Sequence, residues 1–84
     1  MVVGRNALVD RLTATTMAKI DQAYPLLGRT ARRAARKHIM RAAAYCVDET
    51  APRGLPADDV LAFVNTTTEF LFRQLSEVLL TRKE

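Results

Sequence analysis

APRGLP, Ala51–Pro56, cannot be helix. Proline has no N–H to donate, its ring clashes with the preceding turn, and the residue before it is pushed out of helical geometry. The chain must therefore break here. Reading downstream, Pro56 suits a first helical position, and Asp58 and Asp59 suit the positive end of a helix. Apolar residues then recur at helical spacing. Val60, Val64, Thr67, Leu71 and Val78 form one seam. Leu61, Thr68, Phe72, Leu75 and Leu79 form a second, and Phe63 and Phe70 widen the other edge. The spacing predicts a helix over 56–82. Its apolar arc covers about half the circumference, where a bundle helix needs ~100°. Such a helix either lies centrally between two others or offers its second seam to another chain.

Reading upstream, a second helical pattern runs from Thr30 to Thr50. Ala31, Ala34, Ala35, His38, Ile39, Ala42, Tyr45 and Cys46 share one side, and most are small. From Ile39 to Val47 the only charge is Arg41, so this half is expected to be covered almost all round. A second break, Tyr24-Pro25-Leu26-Leu27-Gly28, separates it from a first helix over 6–24. There Leu8, Leu12, Thr16, Ile20 and Ala23 form a stripe with Val9 and Tyr24 beside it, and Asn6 is a suitable N-cap. No strand is expected.

Length and composition agree with one small domain over 1–84. The chain has 84 residues, 49% apolar and 26% charged, which is the balance of a folded protein. The expected fold is all-α, a three-helix up-down-up bundle with short proline-containing connections. A chain this short is marginally stable alone. The wide arc of the third helix and the nearly uncharged stretch Ile39–Val47 point to self-association as a dimer. The seam Leu61, Thr68, Phe72, Leu75 and Leu79 is the candidate contact.

Several chemistries lack their residues. His38 is the only histidine and Cys46 the only cysteine. On one helix they stand ~12 Å apart along the axis, too far for a nucleophile and its base. They are expected to be a packed imidazole and a buried thiol. One His and one Cys do not make a zinc site. Asp58-Asp59 is explained by the helix start. Gly4, Gly28 and Gly54 are isolated at breaks, so no phosphate loop exists. No catalytic residue, metal, cofactor or small-molecule substrate is expected. No apolar run approaches the ~20 residues needed to span a bilayer. With one cysteine and no visible signal segment, the expected setting is the cytoplasm, without a membrane partner.

The charge pattern carries the functional signal. Arg29, Arg32, Arg33, Arg36, Lys37 and Arg41 fall between Asp21 and Asp48 with no acid among them. The remainder holds seven Lys/Arg and nine Asp/Glu, net −2 against the chain's +4. The basic character is therefore local, as for a surface that meets a partner. If the helix begins at Thr30, its positive end is crowded by arginines and its negative end by Asp48 and Glu49, against the dipole at both ends. An earlier start near Pro25 relieves the first conflict. Antiparallel packing that brings Arg5 and Arg11 towards Asp48 and Glu49 relieves the second.

Three readings fit this face. It is a solvated surface whose arginine stems cover apolar neighbours. Or it lies along the phosphate backbone of DNA or RNA, where the guanidinium fork binds two oxygens at once. No aromatic, Asn or Gln interleaves with the cations, so such binding carries weak sequence preference. Or it docks on the carboxylates of an acidic protein, with an apolar seam beside it, as an inhibitor or adaptor does. A membrane-surface helix needs bulky apolar residues opposite its charges, and here they are mostly alanine.

Overall fold

The computed structural model describes residues 1–81. The chain runs β1 (Val2–Val3), α1 (Arg5–Ala23), α2 (Arg29–Thr50), β2 (Leu55–Pro56) and α3 (Ala57–Thr81). Both breaks fall where proline and glycine put them, and the three helices pack as an up-down-up bundle with extents of 45 × 20 × 18 Å. The expected end of the third helix at Arg82 lies outside the described residues.

The helix starts differ from expectation. Gly4, extended at φ −72° and ψ 168°, is the N-cap of α1 in place of Asn6. Gly28, at φ −66° and ψ 161°, precedes α2, which starts at Arg29 and not near Pro25. Neither glycine offers a side chain to cap the first turn. Pro56 stays outside α3, in β2.

A small sheet forms where no strand was expected. Val2 pairs with Pro56 and Val3 with Leu55, antiparallel, and the Ala57 N–H donates to the Met1 carbonyl at 3.0 Å. Two-residue strands are too short to show a period, so sequence carried no sign of them. The pairing depends on Gly54. It sits at φ 91°, and a Cβ there would stand 2.3 Å from the Val3 carbonyl oxygen.

The central helix is α1, not the third helix. It packs along both α2 and α3, which meet each other far less. Its buried set is correspondingly broad: Leu8, Val9, Leu12, Thr13, Thr16, Met17 and Ile20. Ala23, at the end of the predicted stripe, is exposed. The core falls into two clusters. One gathers Leu8, Val9, Leu12, Ala43, Val47, Ala51, Val60, Val64 and Leu71. The other gathers Met17, Ile20, Ala35, Ile39 and Leu75. Buried threonines Thr13, Thr16 and Thr68 accompany them. Thr13 donates to the Val9 carbonyl and Thr15 shares a hydrogen bond with Thr68, but the Thr16 hydroxyl has no partner among the described residues.

α2 is rotated from its expected facing. Ala35, Ile39, Ala43 and Val47 are its buried residues, while Ala31, Ala34, His38 and Tyr45 are exposed. Ile39 and Val47 are the branched aliphatic side chains on this helix, and they take the core while the larger Met40 and Tyr45 stay exposed. Alanines flank them on both sides, so small size alone does not set the rotation. Among the described residues, no helix is long and apolar enough to cross a membrane.

Candidate functional site

The antiparallel run of α1 and α2 places the start of α2 beside the end of α1. There Arg32 reaches Asp21: Nε donates to Oδ1 and Nη2 to Oδ2, both at 2.9 Å. The guanidinium holds the Asp21 carboxyl below its ordinary range. At the other end Arg5 does the same for Asp48, with Nε donating at 2.6 Å and Nη2 at 2.9 Å, and it lowers that carboxyl likewise. The expected approach of Arg5 to the acidic end of α2 is therefore present. Both pairs are solvent-exposed, so they fix register more than they add stability.

The six cations do not form one stripe. Arg32 is occupied by Asp21. Arg32 and Arg36 line a shallow cleft against α1, with Asp10, Thr13 and Met40. Arg41 lies on the opposite flank, beside Tyr45 and Phe70. At 100° per residue Arg36 and Arg41 are roughly 140° apart around the helix. Arg29, Arg33 and Lys37 are exposed between those flanks. Among the described residues, Arg29, Arg33, Arg36, Lys37 and Arg41 form no ion pair. The first turn of α2 contains no acid and its last turn no base; Arg5 on Asp48 relieves the conflict at the C-terminal end, and the conflict at the arginine-rich start stands.

The predicted seam is placed in pieces. Thr68 and Leu75 are buried in the bundle itself. Phe72 and Leu79 are half-buried against the second cluster, with Lys19 Nζ 5.7 Å from the Phe72 ring centre. Lys19 also pairs with Glu69, lowering that carboxyl. Only Leu61 stands clear, 70% exposed.

Open apolar surface also lies between α2 and α3, where Leu75 and Leu79 of the seam meet residues outside it. Two open hollows of about 450 and 400 Å³ run along this flank and share His38. His38 was expected in the core; it is exposed because Ile39 takes the inward position. Cys46 is half-buried and free, and burial pushes its thiol up, away from reactive thiolate. Among the described residues, no three His, Cys, Asp or Glu side chains gather to hold a metal ion. The sequence signal for this flank was available: Ile39 and Val47, eight residues apart with alanines between, set the rotation that turns His38 and Tyr45 outward.

Compared with known proteins, the chain matches no family model, no curated protein and no solved structure.

Proposed function

We propose that this is a non-catalytic protein that binds the phosphate backbone of a nucleic acid through the outer face of α2. The supporting observation is that Arg29, Arg33, Arg36 and Lys37 are exposed, close in sequence and without an ion pair among the described residues. Charges placed near the positive end of a helix repel it, and a bound phosphate relieves that repulsion. Arg32, turned onto Asp21, positions the helix and leaves the contact to its neighbours. Binding is dominated by the backbone, with little discrimination between sequences.

The test is fluorescence anisotropy with labelled duplex DNA and single-stranded RNA over a salt series. Four phosphate contacts give a log–log slope of about −3 to −4 on duplex DNA. Reversing Arg33, Arg36 and Lys37 to Glu abolishes binding, while circular dichroism stays that of the folded bundle. Absence of binding at low salt overturns the proposal.

One observation favours a second reading, a regulator that docks on an acidic protein. Arg41 sits at the rim of an open apolar flank beside Tyr45 and Phe70, an arrangement of charge around an apolar centre that suits a protein interface. Reversal of Arg41 alone separates the two: it leaves nucleic-acid binding nearly intact and disrupts the protein complex.

A further inference from the structure

We propose that the turn between α1 and α2 holds one unstacked base of a single-stranded nucleic acid, with the adjoining phosphates on the start of α2. The inference rests on the phosphate-binding reading and narrows it from nucleic acid in general to a single strand.

A hollow of about 340 Å³ opens at this turn, lined by Ala23, Tyr24, Pro25, Leu26 and Leu27. Ligand sites span ~300–1,000 Å³, so this one suits a single flat ring system and not a large ligand. Its walls are held in place. The Leu27 N–H donates to the Tyr24 carbonyl at 3.1 Å and closes the turn, and the ring of Pro25 fixes its φ. Tyr24 and Leu27 pack against the smaller core cluster, as Phe72 and Leu79 do. That anchoring leaves Leu26 outside, 96% exposed. A lone surface leucine is ordinary. A leucine that lines a hollow together with a tyrosine makes a place to stack something flat.

Charge says what the flat group is attached to. Arg29 follows Leu27 by two residues, so its Cα lies within ~8 Å of that wall, and Arg33 stands one turn further along α2. Both are exposed and form no ion pair among the described residues. The nearest acid in sequence, Asp21, is taken by Arg32, so its charge is offset. Gly28 offers the first turn of α2 no side-chain cap, and a Cβ there would meet nothing within 4 Å. The space beside the cap is therefore open to an anion, which the positive end of the helix favours. A flat group tethered to phosphates is a nucleotide base. In a duplex the bases are stacked inside and cannot enter the hollow, whereas in a single strand they splay outward. Stacking on an aromatic ring accepts any base, which agrees with the weak sequence preference of the cationic face. A lipid surface is the poorer fit, because one exposed leucine buries too little apolar area to hold a protein there.

Intrinsic fluorescence tests this. The chain has two tyrosines and no tryptophan. In a Tyr45→Phe background Tyr24 is the only tyrosine, and its emission reports on the hollow. A short oligothymidine is expected to quench it. An abasic oligomer of equal length carries the same phosphates without bases. It is expected to bind about tenfold more weakly, with the same salt slope and no quenching. Leu26→Ser, at an exposed position, is expected to weaken oligothymidine binding several-fold and leave the abasic oligomer unchanged. Tyr24→Leu, which keeps an apolar side chain against the core, is expected to do the same. A duplex of equal length is expected to bind more weakly than the single strand, the reverse of what charge density alone gives. Equal affinity for the two oligomers, an unquenched Tyr24, or tighter binding of the duplex each overturns the base site and leaves backbone binding standing. Absence of binding by all three at low salt overturns both readings. Binding to phosphatidylserine vesicles that Leu26→Ser removes, without quenching by oligothymidine, assigns the turn to a lipid surface and overturns the base site as well.

Discussion

Thr16 is fully buried, and its hydroxyl has no hydrogen-bond partner among the described residues. A buried polar group without a partner forfeits the hydration it had in the unfolded chain. Valine keeps the branched shape and drops the hydroxyl. Thr16→Val is therefore expected to stabilise the bundle by about 1 kcal/mol, read as a higher urea midpoint at unchanged slope. Acid acts on a different set of residues. Asp21, Asp48 and Glu69 are held below their ordinary range by Arg32, Arg5 and Lys19. A carboxylate with a lowered folded-state pKa contributes fully above its unfolded value. That contribution is lost as pH falls through the lower, folded value. Stability is thus expected to be flat above about pH 5 and to decline below about pH 4. Asp21→Asn with Asp48→Asn should make that decline shallower in urea titrations across the acid range. An unaltered decline in the double variant would sink the assignment to these pairs.

At the scale of elements, the connection between α2 and α3 is the most constrained segment. Its turn closes with the Gly54 N–H donating to the Ala51 carbonyl at 2.9 Å. Gly54 takes a positive φ that other residues avoid, directly under the Val3 carbonyl. Gly54→Ala meets both obstacles at once and is expected to cost about 2 kcal/mol or more. The loss should appear as faster hydrogen exchange at the Ala57 N–H, which the Met1 carbonyl accepts, while the centre of α1 stays protected. This segment was half legible. Proline and glycine announced the break, but the pairing with Val2–Val3 spans more than fifty residues of sequence and leaves no local pattern. The facing of α2 was only partly legible, for another reason. Alanine is equally at home against a neighbour and in a groove, so an alanine-rich helix has several acceptable rotations. Ile39 and Val47, the branched aliphatic residues, break the tie, whereas the larger Tyr45 and Met40 stay exposed. The cations were visible one by one. Their division between Asp21, solvent and the opposite flank depends on where α1 lies.

Taken whole, the bundle hangs on α1. Leu12 is fully buried in the larger cluster. Leu12→Ala is expected to cost about 3 kcal/mol, a large share of what an 84-residue chain has. Guanidinium unfolding followed by circular dichroism gives the figure. The up-down-up order was legible from two breaks and three periodic stretches. Which helix is central was not, because the apolar arc of α3 exceeds what the bundle covers, and the excess lies at Leu61, Phe70 and Val78. The same topology sorts charge lengthwise. The start of α2 gathers cations at one tip, and at the other Asp48, Glu49, Asp58 and Asp59 outnumber Arg5 and Arg53. A rod polarised in this way experiences a torque in any external field. Near a polyanion it turns tip-first before it touches. On a charged chromatographic bead it stands upright, held by one tip, and elutes at a salt concentration that its modest net charge does not foretell.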